Sequence, residues 1–301
     1  MEEGSPSATA VMMAMLRAAH LLLDGDPKIF HDRLALGLCG AGNEAALLAA
    51  LGTVDADIAS GATSGFGTAL TRYVRANAVM RQRYTEEELK KALERGVTQY
   101  VILGAGLDSF AYRRTDLAPV LRVFEVDHPA TQQWKSIRLR ELKIDLPANL
   151  TFVPVDFERQ TLAYGLSAAS HRSDLPSFVS WLGVTMYLTE AAVFETLRYI
   201  ASLAPGTEIV FQYALPESLL DDETRHLVAS VKRTASSTGE PWLTEFEPTA
   251  LAAQLKKLGY AHVWDLEPVE ADARYFAGRT DGLRTPPHSH LMKARVGHRA
   301  K

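Results

Sequence analysis

A glycine-rich turn and two acidic residues follow three successive apolar segments of the chain. Gly104 and Gly106 end the first segment, Asp127 ends the second, and Asp156 ends the third, where Phe157 follows it. Glycines let a backbone approach a ligand closely, and a carboxylate at a strand end can accept hydrogen bonds from two ribose hydroxyls. The series therefore predicts a nucleoside cofactor, with Asp127 at its ribose and Asp156 and Phe157 at its adenine.

The same segment favours S-adenosyl-L-methionine over a nicotinamide dinucleotide. The dinucleotide fingerprint needs a third glycine where this chain has Ser109, and no tyrosine is followed four residues later by a lysine. Asp108 inside the turn disfavours a pyrophosphate, whereas S-adenosylmethionine carries no phosphate. An NAD(P)-dependent oxidoreductase on the same sheet and a non-catalytic subunit that keeps the fold remain as alternatives.

The elements that must position these residues alternate between strand and helix from residue 96 onward. Strands are predicted at Val101–Leu103, Val123–Val126, Thr151–Val155, Phe178–Leu182, Ile209–Tyr213, His262–Leu266 and Leu291–Val296. Helices are predicted at Pro129–Lys143, Glu190–Leu203, Glu217–Ser237 and Pro248–Leu258, and a surface loop at Gly278–His290. Such alternation is typical of an α/β protein with a Rossmann-like, doubly wound and mostly parallel sheet.

Residues 1–95 are predicted to be helical. The helices expected there are Thr9–Leu23, Asn43–Leu51 and about Thr68–Glu94, with a Gly/Ser/Thr loop at Gly61–Gly67. Thr85 and Glu88 have the spacing of a capping box, which predicts that a new helix begins at Thr85. Because the junction has no Pro/Ser-rich linker, we interpret residues 1–95 as a helical cap or lid on a core of residues 96–301.

Composition narrows the class of protein. Of the 301 residues, 47% are hydrophobic, which excludes disorder for most of the chain. The net charge of −4 argues against a nucleic-acid binder. Apolar stretches fall short of the ~20 residues of a membrane span, so we expect a cytoplasmic protein without a membrane partner. The single Cys39 allows no intrachain disulfide, and His288 and His290 lack the further ligands of a metal site.

Several motifs resemble the leucine carboxyl methyltransferase-like family, including its bacterial branch of S-adenosylmethionine-dependent methyltransferases. The motifs are L-G-A-G-L-D at 103–108, F-E-V-D-H-P at 124–129, V-D-F at 155–157 and G-V-T-M-Y-L-T at 183–189, with shorter matches at 16–19, 26–27 and 81–84. The resemblance runs from about residue 9 to residue 216. It implies a sheet of the class I methyltransferase type and S-adenosyl-L-methionine as cofactor.

The resemblance also implies roles for single residues. Gly104 and the turn that ends at Gly106 lie under the methionine portion of the cofactor, Asp127 holds the ribose, and Asp156 with Phe157 holds the adenine.

In this family an arginine before the first strand binds the cofactor carboxylate. Arg81 is the predicted residue, with Arg83 and Arg17 as alternatives. A guanidinium can donate two parallel hydrogen bonds to a carboxylate, which explains the need for arginine at such a position.

The acceptor is predicted to be a small molecule that is methylated on a carboxylate or hydroxyl oxygen. The family often has an acid where this chain has Leu182, which argues against the carboxyl group of a protein leucine as the acceptor. Trp181, Tyr187 and Tyr213 are expected to line the acceptor pocket. A hydroxyl acceptor requires a base, for which His128 and Tyr187 are candidates, whereas a carboxylate is already ionised near neutral pH.

Overall fold

The computed structural model describes residues 7–60, 66–156, 160–237 and 239–298, whose strands form one seven-stranded sheet. The strands are β1 (Gln99–Leu103), β2 (Arg122–Asp127), β3 (Leu150–Pro154), β4 (Ser177–Trp181), β5 (Glu208–Ala214), β6 (Tyr260–Leu266) and β7 (Ser289–Val296). Their order is β3-β2-β1-β4-β5-β7-β6. The strands from β3 to β5 pair in parallel, and β7 is antiparallel to both neighbours. The predicted Rossmann-like, mostly parallel sheet is confirmed.

Helices cover both faces of this sheet, and a group of them precedes β1 in the chain. Those before β1 are α1 (Ala8–Leu23), α2 (Ala35–Leu38), α3 (Glu44–Ser60) and α4 (Phe66–Glu94). Those after β1 are α5 (Phe110–Arg113), α6 (Pro129–Glu141), α7 (Leu162–Ala168), α8 (Glu190–Ala201), α9 (Asp222–Ser237), α10 (Pro248–Leu258) and α11 (Pro268–Ala271). The short helices α5, α7 and α11 had no clear signal in the sequence, whereas α10 has the predicted bounds.

The apolar strands are buried on both faces, as a parallel sheet between two helical layers requires. All five residues of β1 are buried. One face packs its apolar side chains, such as Val179 and Phe211, with Leu197 of α8 and Leu255 of α10. The other face packs Tyr100 and Val210 with Val79 and Met80 of α4.

The N-terminal helices form a core of their own above the sheet. Leu16 and Ala19 of α1 pack there with Leu47 of α3 and Ala78 of α4. Helix α4 thus contributes to two apolar clusters, one with the sheet and one with α1. It connects the N-terminal helices to the strands and holds α1 above the ends of β1 and β2.

Helix α4 runs without a break through the residues predicted to begin a new helix, so that prediction is wrong. Thr85 is buried within α4, and the carboxylate of Glu88 lies 2.5 Å from the Nζ of Lys293 on β7 and 2.6 Å from that of Lys91. Glu88 pairs with these amines and is not used to cap a helix start. Residues 61–65, most of the predicted Gly61–Gly67 loop, lie outside the described residues, and α4 begins at Phe66.

The segment Gly278–His290 is also different from its prediction as a surface loop. Leu283, Thr285 and His288 are buried, and Ser289 and His290 already belong to β7. The reason is topological, because β7 lies between β5 and β6 and the segment that leads into it must pack against the sheet. Among the described residues, no helix is both long and apolar enough to cross a bilayer, and no cluster of three or more His, Cys, Asp or Glu side chains has the arrangement of a metal site.

Candidate active site

A cavity of about 960 Å³ lies at the carboxyl ends of the parallel strands, beneath α1 and beside α4. Most of the residues that the sequence singled out contribute to its wall. They are Arg81, Gly104, Gly106, Asp127, His128, Asp156, Trp181 and Tyr187. Phe157, the predicted neighbour of the adenine, lies outside the described residues, and Tyr213 is absent from the wall.

The turn after β1 is held against the end of β2. Gly104 has a φ of +63°, and a Cβ atom there would collide with the side chain of Val184. The backbone N–H of Gly106 donates a hydrogen bond of 2.5 Å to Oδ2 of Asp127. The turn and the first acid therefore form one rigid unit on the cavity wall.

Asp127 presents a carboxylate that is partly satisfied by backbone groups. Its Oδ1 accepts a hydrogen bond of 2.7 Å from the N–H of His128, and its Oδ2 accepts the bond from Gly106. Each oxygen retains a further lone pair with which it can accept a ligand hydroxyl. Burial raises the pKa of Asp127, and the two backbone donors oppose that rise.

Glu125, two residues earlier on β2, is fully buried and does not reach the cavity. Its Oε2 lies 2.6 Å from the Nζ of Lys135 on α6, which is itself buried. Burial raises the pKa of Glu125 to about 7, while the neighbouring ammonium group opposes the shift. Glu125 is thus a buried partner of α6, separate from the cavity wall.

Arg81 lies on α4 with its guanidinium buried at the cavity. Its Nη1 donates a hydrogen bond of 2.6 Å to Oε1 of Gln212, and its Nε has no hydrogen-bond partner among the described residues. Gly183 permits this approach, since a Cβ atom there would lie 2.6 Å from Nη1. Burial and the nearby Arg17 lower the pKa of Arg81 to about 10, which still leaves it charged at neutral pH.

The two alternative arginines have other partners. Arg83 is half exposed and forms an ion pair of 2.5 Å with Glu87 along the same helix, away from the cavity wall. Arg17 does line the cavity, but its Nε lies 2.8 Å from Asp32 and its Nη2 donates to the carbonyl of Leu107. Of the three, Arg81 combines a place on the wall with a charge that no adjacent carboxylate neutralises.

Other polar contacts hold the wall in place. Asp32 accepts a hydrogen bond of 2.7 Å from Ser109, the residue that replaces the third glycine of a dinucleotide fingerprint. Asp108 accepts bonds from the N–H of Phe110 and, at 3.0 Å, from Nε2 of Gln82. These contacts join the turn after β1 to the N-terminal helices.

At the other end of the cavity, Tyr187 and Glu240 face the space beyond β4. Glu240 follows α9, and its Oε1 accepts a hydrogen bond of 2.7 Å from Ser7, while its Oε2 accepts one from Thr9 in the first turn of α1. Burial raises the pKa of Tyr187, so its hydroxyl keeps its proton at neutral pH. This protonation makes Tyr187 a hydrogen-bond donor and a poor base.

The remaining predicted residues have structural partners. His128 caps α6, with its Nδ1 accepting a hydrogen bond of 3.2 Å from the N–H of Ala130, at the end of β2. Tyr213 is fully buried in the apolar cluster of the opposite face, beside Phe211 and Phe246. The prediction that Tyr213 lines the pocket does not hold, because side chains alternate along β5 and Gln212 is the residue that points towards Arg81.

Comparison with known proteins identifies the fold and the family. The mostly parallel seven-stranded sheet, in the order β3-β2-β1-β4-β5-β7-β6, has the class I methyltransferase fold. A solved structure from Thermobifida fusca YX superimposes with a TM-score of 0.59 at 17% identity, over 99% of this chain and 97% of that one. A protein of the DUF574 family from Streptomyces avermitilis MA-4680 superimposes with the same TM-score at 16% identity, over 97% of this chain and 98% of that one.

The family model described as leucine carboxyl methyltransferase matches residues 10–201, and the chain belongs to this family. It is 34% identical to the Bacillus subtilis (strain 168) protein named "Putative S-adenosyl-L-methionine-dependent methyltransferase YktD", over 71% of this chain and 70% of that protein. A Mycobacteroides abscessus protein with the same description is 31% identical over 92% of this chain and 88% of its own length. The predicted family and enzyme class are confirmed, and the predicted cofactor agrees with these names.

Proposed function

We propose that this methyltransferase transfers a methyl group from S-adenosyl-L-methionine to an oxygen atom of a small-molecule acceptor. One observation carries the proposal: a single cavity joins the turn after β1, the acids at the ends of β2 and β3, and a buried arginine without an ion-pair partner among the described residues. The cofactor, when bound, supplies a methyl group that its sulfonium makes electrophilic. The protein then has to align the acceptor oxygen with that methyl and exclude water.

The cavity residues fit this cofactor along its length. Arg81 would bind the carboxylate of the cofactor. Its Nε has no hydrogen-bond partner among the described residues, and its guanidinium has no adjacent carboxylate, so an anion would be stabilised there. The turn at Gly104 would pass under the methionine portion, Asp127 would accept hydrogen bonds from the ribose hydroxyls, and Asp156 would lie at the adenine. Each assignment follows the strand order, in which β1 lies between β2 and β4.

With the cofactor in this position, the acceptor would enter from the end of the cavity beyond β4. Glu240 presents a carboxylate at that end, next to the protonated hydroxyl of Tyr187. An anionic acceptor would be repelled by Glu240, whereas a hydroxyl can donate a hydrogen bond to it. This carboxylate favours a hydroxyl over a carboxylate as the methylated group, and it would be the group that takes the proton of the hydroxyl as the methyl is transferred.

The N-terminal residues 1–95 would act as a lid in this proposal. Ser7 and Thr9 connect the first turn of α1 to Glu240, across the cavity from the sheet. Ala10 and Met13 of the same helix add apolar wall, which helps to exclude water from the transferred methyl.

The product of the reaction tests the choice of acceptor group. The protein would be incubated with S-adenosylmethionine labelled in its methyl group and with matched pairs of small aromatic and aliphatic acceptors, one member bearing a hydroxyl and the other a carboxylate. We expect label in the hydroxyl members, in a product that survives mild alkali as an ether does. Label that mild alkali releases as methanol would show a methyl ester and would contradict the role given to Glu240.

A further inference from the structure

Arg17 and Arg81, two of the three arginines on the cavity wall, are held by partners of different charge. Arg17 lies against the carboxylate of Asp32 at 2.8 Å, so its charge is neutralised locally. Arg81 donates at 2.6 Å to the neutral side-chain amide of Gln212, and no carboxylate of the described residues forms an ion pair with it. Asp108, on the same cavity wall, acts on Arg81 only at longer range. A buried guanidinium without an adjacent countercharge is costly, and a fold normally provides one unless a ligand does.

Gln212 is itself rigidly held. It is a buried polar residue within the apolar strand β5, and its Nε2 donates a hydrogen bond of 2.6 Å to Oγ of Ser289 on β7. Because arginine can only donate hydrogen bonds, the amide oxygen must be the atom that faces Arg81. The bond to Ser289 fixes that orientation, and Ser289 lies in turn 3.4 Å from Oδ1 of Asn77 on α4.

We propose that Gln212 is a positioning residue, which orients the Arg81 guanidinium without neutralising it and so reserves its charge for the carboxylate of the cofactor. Glutamate would have nearly the same size and the same accepting oxygen, but it would supply the countercharge permanently. The inference rests on the proposed function, because it takes the cofactor carboxylate to be the anion that Arg81 binds.

The test compares two ligands that differ only in this carboxylate. S-adenosylmethionine and decarboxylated S-adenosylmethionine would be titrated into the wild-type protein and into Gln212→Glu by calorimetry. The variant should bind S-adenosylmethionine about tenfold more weakly, the lower end of what one adjacent countercharge is worth. It should bind the decarboxylated ligand equally well or more tightly, because that ligand has no carboxylate that depends on the charge of Arg81.

Controls separate this role from a structural one. Gln99→Glu makes the same change at a buried glutamine on β1, whose Nε2 donates to the carbonyl of Arg172 away from the cavity, and it should leave both affinities unchanged. If Gln212→Glu does not fold, Ser289→Ala frees the amide of Gln212 and should give a smaller loss with the same preference between ligands.

Equal losses for both ligands, or no loss for either, would overturn the positioning role while leaving the proposed function intact. Failure of the wild-type protein to bind either ligand would instead contradict the proposed function itself.

Discussion

Replacing Arg81 with alanine should weaken the binding of S-adenosylhomocysteine by about 10- to 150-fold, since a hydrogen bond to a charged group is worth about 1.5–3 kcal/mol. The guanidinium is buried at the cavity and forms no ion pair among the described residues, so in the variant the ligand carboxylate would lose its cationic partner. Calorimetry gives the dissociation constant, and circular dichroism melting checks that the variant is folded.

Arg83→Ala provides the matched control for this experiment. Arg83 lies two residues further along α4 and is half exposed, with Glu87 as its ion-pair partner. Because exposed pairs of this kind contribute little, the substitution should leave both the ligand affinity and the melting temperature nearly unchanged. An unchanged affinity in folded Arg81→Ala would remove the role from Arg81 and point to Arg17.

The second large effect is expected at Asp127. Asp127→Ala would leave both ribose hydroxyls without this acceptor, at a cost of about 2–3 kcal/mol, or about 30- to 150-fold in affinity. The ribose does not react, so the loss should appear as a raised KM for the cofactor more than as a lowered kcat. Steady-state kinetics at varied S-adenosylmethionine concentration separates the two parameters.

Two further substitutions test the position of the ribose. Asp127→Asn keeps one accepting oxygen and should weaken binding less than Asp127→Ala. Glu125→Gln changes the acid that lies one pleat deeper and pairs with Lys135, and it should leave cofactor affinity unchanged. Loss of cofactor binding in Glu125→Gln together with normal binding in Asp127→Ala would place the ribose one pleat away from its assigned position.

The sheet is readable in the sequence because its strands are buried on both faces. Runs such as Tyr100–Leu103 are continuously apolar and end in glycine or acid, a pattern that few other elements share. Pairs of residues close together in the sequence predict the helix boundaries less well. Thr85 and Glu88 satisfy a capping rule, but Glu88 pairs with Lys293 of β7 and with Lys91 of its own helix, and α4 continues through both residues.

The sequence predicts those residues of the candidate site that lie on the turn after β1 and at the strand ends. It does not predict the residues that reach the site from distant segments of the chain. Gly104 and Asp127 belong to recognisable strand ends that the parallel sheet brings together. Glu240 reaches the cavity through hydrogen bonds with residues more than 200 positions away in the sequence, which no local pattern reports.

Gln212 is a functional candidate that the sequence pattern of β5 indicates. A glutamine that follows three apolar residues in a buried strand must find partners for its amide, which indicates a specific contact. Its neighbour Tyr213 is the residue predicted at the pocket, because it is aromatic and lies near the carboxyl end of a strand. The alternation of side chains along β5 places Tyr213 in the opposite apolar layer and Gln212 beside Arg81.

The cavity is proposed to bind S-adenosylmethionine through the methionine, ribose and adenine portions of that cofactor. Calorimetric titration of the purified protein with S-adenosylhomocysteine, NAD and NADP in parallel tests it most directly. We expect saturable binding of S-adenosylhomocysteine at one site per chain and no heat of binding from either dinucleotide. Binding of NAD or NADP without binding of S-adenosylhomocysteine would contradict the account.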